Sequence, residues 1–138
     1  MKKILIGVLA LIIVGGIYFA TQYFKPHKNI ETAKEDVSIT APNLFSAFSD
    51  NEAKANTDYL DKIILVSGEI NEVTVDDSSN VNVYLNVGND GFGSVSCNFS
   101  SEEGQKALNY KNGQVVKIKG VCTGFLMDVV LNKCVLVD

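Results

Sequence analysis

The sequence has no arginine and no tryptophan, and it has one histidine, two prolines and three cysteines among 138 residues. Because arginine is absent and 12 lysines face 16 acidic residues, the chain has little of the positive charge with which nucleic-acid-binding proteins neutralise phosphates. A hydrophobic content of 46% excludes a disordered tail. These features favour a folded acidic protein whose ligand is not a nucleic acid.

Most kinds of catalytic site are also absent. The single histidine, His27, precedes the predicted domain, so a Ser-His or Cys-His nucleophile and a histidine-ligated metal are excluded from that domain. The glycines in residues 90–93 are not followed by the helix and lysine of a phosphate-binding loop. Adjacent carboxylates at 76–77 and 102–103 occupy turn and helix-start positions, where solubility and the helix dipole explain them. We therefore expect neither an enzyme nor a cofactor.

Charge divides the chain into two unlike parts. Lys2, Lys3, Lys25 and Lys28 precede every acidic residue, so residues 29–138 hold eight lysines against all 16 acids and carry a net charge of −8. The roughly 100 residues that follow the apolar start are enough for one domain and too few for two.

Residues 1–24 predict a transmembrane helix. The run from Ile4 to Ala20 has no charged residue and aromatic residues extend it to residue 24, so these 21 residues would span about 31 Å as a helix, the hydrocarbon thickness of a bilayer. A cleaved signal peptide is the alternative, but its apolar run is usually only about 7–15 residues long. No cysteine precedes Cys97, so a lipoprotein-type lipid attachment near the start is excluded. We expect a single-pass cell-membrane protein, bound to the lipid bilayer through this helix, with its C-terminal domain outside the cytoplasm.

Residues 25–40 are polar, lack a sustained apolar period and predict a linker. Beyond Thr40, apolar residues recur at three- and four-residue spacing and Pro42 suits a first helical turn, which predicts an amphipathic helix over 42–56. The positions at this spacing are Leu44, Phe45, Phe48, Asn51, Ala55 and Tyr59. We expect the first three to pack against the following domain, although a partner-binding helix is the alternative.

Beyond residue 60 apolar and polar residues alternate with a period of two, which predicts β-strands. Five strands are predicted: one long strand over 63–76, strands that begin near 81, 95 and 116, and a last strand over 127–137. A short helix that starts at Ser100 or Ser101 and runs through Leu108 separates the third strand from the fourth. Gly68 interrupts the first strand, as glycine does where a strand bends.

This order of elements is that of an OB-fold, a small Greek-key barrel. A sandwich would need about seven strands, and a βαβ architecture would need a helix after each strand. The predicted fold is therefore mainly β, with a five-stranded OB-fold-like barrel and its preceding helix in one domain over residues 41–138.

Several short segments of this domain match one known family. They include Asn51-Glu52, Ala55-Asn56, Val66-Ser67-Gly68-Glu69-Ile70, Val95-Ser96-Cys97-Asn98-Phe99, Gly120-Val121-Cys122-Thr123-Gly124 and Val130-Leu131-Asn132-Lys133-Cys134. In these residues the chain resembles the tRNA-anticodon-binding-like OB-fold family, whose members are small and often membrane-anchored bacterial proteins. The resemblance covers roughly residues 42–138 and implies an OB-fold in a bacterial envelope. It does not imply tRNA binding, and it assigns no catalytic or ligand residues.

One outer surface of the barrel is the candidate binding face. Its predicted members are Asn82, Tyr84, Asn86, Phe92, Ser96, Asn98 and Phe125. Amides and hydroxyls both donate and accept hydrogen bonds, and loop aromatics add apolar contact, so we expect a protein partner or a neutral polar ligand. The bland alternative is that the polar residues only solvate the strands and that the two phenylalanines cover the barrel ends.

These features together predict a membrane-anchored, non-catalytic binding or assembly module of the bacterial envelope. An oligonucleotide-binding OB-fold is the alternative, since that fold often binds single strands. A hydrolase or redox accessory protein is a weaker third option.

The three cysteines, Cys97, Cys122 and Cys134, are predicted to point inward from the last three strands. Their spacing matches neither a Cys-x-x-Cys redox motif nor a zinc site. In an exported protein a disulfide can form, and the topology of an OB-fold favours Cys97 with Cys122 because both lie at one end of the barrel. Three free thiols are the alternative.

Overall fold

A computed structural model describes residues 2–23, 29–88 and 92–137. Four helices and six strands form within these ranges. In chain order they are α1 Lys2–Tyr23, β1 Val37–Thr40, α2 Ala41–Asp50, α3 Glu52–Tyr59, β2 Ile63–Val75, β3 Val81–Leu85, β4 Val95–Phe99, α4 Ser101–Ala107, β5 Val115–Phe125 and β6 Val129–Val137.

Strands β2 to β6 form a closed five-stranded barrel in the order β2-β3-β4-β6-β5, and β5 pairs again with β2 to close it. All neighbours are antiparallel except β4 and β6, which run parallel. The predicted OB-fold-like barrel is therefore confirmed. The short strand β1, which the sequence pattern did not predict, adds in parallel to the first half of β2.

The long strand β2 joins both halves of the barrel. Residues 63–69 pair with β5, and residues 70–75 pair with β3 after a register shift between Ile70 and Glu72. Gly68 lies at this transition, where a Cβ atom would stand 2.9 Å from the Cβ of Ala41. Because α2 approaches the strand backbone so closely here, only glycine fits without displacing the helix.

The helix predicted over 42–56 is two helices, because Asn51 ends α2 and begins α3. Its backbone leaves the helical region, with φ −155° and ψ 89°, and its side-chain oxygen accepts a hydrogen bond from the backbone N–H of Lys54 at 3.0 Å. This is the usual action of an asparagine N-cap. The apolar face of α2 packs into the core as predicted, with Leu44, Phe45 and Phe48 buried.

The predicted linker over 25–40 is corrected in its second part, while residues 25–28 lie outside the described ranges. A turn near Ile30 docks on the barrel, and Ile30 is buried against Ile63 and Val135. The ammonium group of Lys119, only 8% exposed, donates to the backbone oxygens of Glu31 at 3.1 Å and Ala33 at 2.8 Å. Residues 29–40 therefore belong to the domain, because they bury apolar surface and then pair as β1.

Helix α1 forms where the transmembrane anchor was predicted, over nearly all of residues 1–24. Its uncharged apolar run from Ile4 to Ala20 extends about 25 Å at 1.5 Å per residue. In the part of the chain that the structure describes, no helix combines the length and apolarity needed to cross a membrane. The transmembrane part of the prediction is therefore not supported.

Gly104 gives a test of how tightly α4 packs on the barrel. A Cβ at this position would lie 2.6 Å from Cγ2 of Val81, so Gly104→Ala should lower the free energy of unfolding by about 1–3 kcal/mol through overpacking. In an exposed helix the same change would raise stability by roughly 1 kcal/mol. Urea denaturation decides the sign. Gln105→Ala, at the exposed neighbouring position, is the matched control and should stay within about 0.5 kcal/mol of wild type.

Candidate binding surface

A row of polar side chains crosses the outer face of the barrel, perpendicular to its strands. We call it the amide row, and its members are Thr74, Asn82, Asn98, Asn132 and Thr123, one from each of β2, β3, β4, β6 and β5. Thr74 is opposite Asn82, and Asn82 is opposite Asn98. Side chains alternate along each strand, so this row faces away from the core residues that flank its members.

Three of the five members of the amide row, Asn98, Asn132 and Thr123, are joined by hydrogen bonds. Asn98 accepts a hydrogen bond from Ser96 at 3.2 Å and donates from Nδ2 to Oδ1 of Asn132 at 2.7 Å. Asn132 in turn donates to Oγ1 of Thr123 at 3.2 Å, and Thr123 donates to the backbone oxygen of Val130 at 3.2 Å. These side chains tie β4, β6 and β5 together. Their first role is structural. Ser96 and Asn98, which the sequence predicts for the binding face, both take part in these hydrogen bonds.

The other half of the face keeps its polar groups available. Within the described residues, neither the Asn82 amide nor the Tyr84 hydroxyl has a hydrogen-bond partner, and both side chains are partly exposed. Tyr84 lies opposite Glu72 on β2 and opposite Ser96 on β4. A ligand that reaches β3 therefore meets an amide, a phenol and a carboxylate, with no lysine among them.

Two loops at one end of this face carry large exposed apolar side chains, which we call the apolar tip. They are Phe92, 82% exposed, Leu126, 89% exposed, and Met127, 78% exposed. The loops are joined by a hydrogen bond from the Ser94 hydroxyl to Asp128 at 2.9 Å and another from the backbone N–H of Val129 to the oxygen of Ser94 at 3.1 Å. These two hydrogen bonds join the loops that bear the three side chains.

Gly93 explains why the first loop lies against the barrel. Its φ is +86°, and a Cβ there would clash with the Phe45 ring and lie 3.2 Å from the backbone oxygen of Met127. Glycine is needed both for the left-handed backbone and for this close approach. The Phe92 loop therefore packs between α2 and the β5–β6 turn, which positions the apolar tip.

Two predicted members of the face lie elsewhere. Phe125 points into the barrel end, where its ring stands 5.7 Å from those of Phe45 and Phe48, so it is a packing residue. Asn86 accepts a hydrogen bond from the backbone N–H of Gly88 at 2.8 Å. It lines a cavity of about 430 Å³ with Thr40, Pro42, Ser67, Gly68, Glu69, Gly88 and Val115, away from the amide row.

The groups that could carry other chemistry are used structurally. The carboxylate of Asp76 accepts hydrogen bonds from the backbone N–H groups of Asn80 and Ser78, both at 2.9 Å, and the Asn80 bond above all lowers the pKa of Asp76. The two neighbouring lysines differ, because Lys117 is exposed whereas Lys119 is buried and donates to the backbone oxygens of Glu31 and Ala33. Among the described residues, no three histidine, cysteine or acidic side chains are grouped as metal ligands.

All three cysteines are buried as free thiols. Leu131 on β6 is the pairing partner of Cys97 on β4 and also of Cys122 on β5. Cys97 and Cys122 therefore flank β6 on opposite sides, about 9–10 Å apart at their Cα atoms, since adjacent strands lie about 4.8 Å apart. A disulfide needs Cα atoms within roughly 7 Å, so the register does not favour the predicted pair.

The comparison with known proteins agrees with this architecture. The tRNA_anti-like family model matches residues 1–136. The chain belongs to the tRNA_anti-like family. This tRNA_anti-like protein is similar to the crystal structure of a candidate nucleic acid-binding lipoprotein from Klebsiella pneumoniae subsp. pneumoniae, with a TM-score of 0.60 at 21% identity over 83% of this chain and 100% of the other. That likeness shows a shared fold.

A second structure, the S. pombe Stn1–Ten1 complex, has a TM-score of 0.42 at 12% identity, over 54% of this chain and 57% of the other. No curated protein matches the sequence.

The amide row and the apolar tip also contain residues that the sequence pattern did not reveal. Asn132 and Thr123 enter the row from β6 and β5, and Leu126 and Met127 form part of the tip. The Leu126-Met127 pair is itself visible in the sequence as a candidate surface. Two large apolar residues just beyond Gly124 are exposed unless another element covers them.

The division of the amide row predicts unequal effects of two similar substitutions. Asn98→Ala removes hydrogen bonds to Ser96 and Asn132 and should cost about 1 kcal/mol of unfolding free energy. Asn82→Ala, its cross-strand neighbour, removes no such bond and should change stability by less than about 0.5 kcal/mol. Chemical denaturation measures both variants. Equal losses would contradict the division.

Proposed function

We propose that this tRNA_anti-like protein is a non-catalytic binding or assembly module of the bacterial envelope that docks a protein partner on the apolar tip and the adjacent Tyr84. The observation that carries the proposal is the apolar tip itself. Phe92, Leu126 and Met127 are exposed by 78–89% although hydrogen bonds and packing fix the loops that bear them. Burying such side chains in a partner would remove most of this apolar surface from water.

The surroundings of the apolar tip suit a protein partner. Aromatic residues and methionine are enriched at the centres of protein interfaces, with polar groups at the rim. Here Tyr84 and Asn82 lie on β3, whose end leads into the loop that bears Phe92, and both keep polar groups that have no partner among the described residues. The loops are already joined through Ser94 and Asp128, so little conformational entropy is lost when they are bound.

Oligonucleotide binding is the second candidate, and the description of the Klebsiella neighbour as a candidate nucleic acid-binding lipoprotein is what supports it. Charge argues against it. The amide row and the apolar tip contain no lysine, and Glu72 lies opposite Tyr84. The ammonium group of Lys119 is already hydrogen-bonded to the backbone at Glu31 and Ala33. Phosphate neutralisation supplies most non-specific affinity for nucleic acids, and no member of the amide row or the apolar tip can provide it.

Helix α1 supports the envelope part of the proposal. Its side chains Ile4, Ile6, Val8, Leu9, Leu11, Ile12, Ile13, Val14, Ile17, Tyr18 and Phe19 are each exposed by more than half. So long an apolar surface needs a cover, and a lipid membrane provides one of matching chemistry. The description of the Klebsiella neighbour as a lipoprotein fits a membrane-associated relative. A short lysine-bearing start usually stays inside, so the barrel would lie outside the cytoplasm if α1 crossed the membrane.

Site-specific crosslinking tests the docking surface. A photoreactive phenylalanine analogue that replaces Phe92 or Met127 in the full-length protein should give discrete protein adducts in cells. The same analogue at Val75, which is 55% exposed at the end of β2 and pairs with the start of β3, is the matched control and should give none. Adding Tyr84→Ala should lower the adduct yield at position 127 several-fold.

Two results would contradict the protein-docking proposal. The first is an equal adduct yield at Val75 and Phe92. The second is that the adducts disappear on nuclease treatment, with a fluorescent single-stranded oligonucleotide bound below micromolar concentration in a salt-dependent manner. That second result would establish the oligonucleotide alternative.

Liposome flotation tests the role of α1. Full-length protein should float with vesicles of phosphatidylethanolamine and phosphatidylglycerol, and Ile12→Lys should move most of it to the unbound fraction, because a charge in the apolar stretch opposes burial in lipid. Val75→Lys places the same charge on the barrel and is the control, which should float like wild type. Flotation of both variants alike would show that α1 is not the membrane contact.

A further inference from the structure

The core contains a second pair of thiols, Cys97 with Cys134, besides the predicted pair of Cys97 with Cys122. Cys97 on β4 lies opposite Leu131 on β6, and Cys134 follows three residues later on β6. Both side chains are buried, with exposures of 0% for Cys97 and 1% for Cys134. The two thiols can pair only if they lie at similar heights along the barrel axis.

An irregularity in β6 brings Cys134 back toward Leu131. Residue 132 pairs with 121 and residue 135 pairs with 119, so β6 contains one more residue than β5 over this stretch. Lys133, with φ 54°, supplies the bulge. Strict alternation after Leu131 would turn residue 134 outward, but the bulge turns the Cys134 side chain into the core instead. Its thiol donates to the backbone oxygen of Leu131 at 3.4 Å.

The Cys134 thiol also lies close enough to the thiol of Cys97 for the two groups to interact. Burial, first, and this neighbour hold the pKa of Cys134 well above its ordinary range. Burial likewise raises the pKa of Cys122, whose strand lies on the far side of β6. The thiolate is the form that attacks a disulfide, so these thiols react slowly while the barrel is folded.

We propose that Cys97 and Cys134 form the disulfide of this protein when it folds in an oxidising compartment, and that Cys122 stays a free thiol. With oxidised glutathione as the oxidant, the thiolate of one cysteine displaces one glutathione and forms a mixed disulfide. The second cysteine then attacks the protein sulfur of that disulfide and releases the other glutathione. Two protons and two electrons leave the protein thiols, and one glutathione disulfide becomes two glutathione thiols. This step concerns the core and does not depend on the docking surface.

Refolding the full-length reduced chain from urea, in a buffer of reduced and oxidised glutathione, tests the pairing. Cleavage after lysine separates the three cysteines into peptides 63–106, 120–133 and 134–138. Mass spectrometry of the non-reduced digest should find peptide 63–106 linked to 134–138, and thiol counting on the unfolded product should find one free thiol. The oxidised protein should also unfold at a higher urea concentration than the reduced protein.

Alanine variants make the assignment specific. Cys122→Ala should keep the linked peptides, while Cys134→Ala and Cys97→Ala should each lose them. Peptide 63–106 linked to 120–133, peptide 120–133 linked to 134–138, or three free thiols in the refolded wild-type protein would each overturn the proposal. Because the wild-type digest decides the pairing alone, a variant that fails to fold leaves the test intact.

Discussion

The bend of β2 is the constraint on which the rest of the molecule depends. A single 13-residue strand pairs with β5 in its first half and with β3 in its second, so the barrel closes only if this strand changes partners, which it does between Glu69 and Ile70, just after Gly68. Ala41 at the start of α2 packs on that same point. The bend therefore fixes the position of the helix, and Phe45 on the helix then supports the loop that bears Phe92.

The outer face shows how one set of residue types serves two purposes. Asparagine and serine side chains on β4 and β6 satisfy one another, so water gains little by competing for them and a ligand would have to break those bonds. On β3 the same chemistry is left open at Asn82 and Tyr84. The two parts of this face differ in their pattern of hydrogen bonds, because an asparagine amide is bonded to its neighbours on β4 and β6 but has no partner among the described residues on β3.

Local patterns in the sequence predict the strands well, and long-range contacts account for what they miss. The period of two and the position of Gly68 are enough to predict the barrel. The pattern did not predict the helix break, because an asparagine such as Asn51 is tolerated within a helix as well as at a cap. Phe125 was assigned to the surface since nothing nearby in sequence covers it, whereas α2, about 80 residues earlier, does. The register that separates Cys97 from Cys122 depends likewise on β6, which lies between their strands.

The hydrogen bonds of Lys119 limit the distance between α1 and the barrel. Because its ammonium group fixes the backbone at Glu31 and Ala33, only residues 24–28 separate α1 from chain that is docked on the barrel. Six virtual bonds of about 3.6 Å give a largest separation of roughly 20 Å between Tyr23 and Asn29. Whatever surface α1 occupies, the barrel works within about one domain diameter of it. A partner that reaches the apolar tip must therefore itself lie close to that surface.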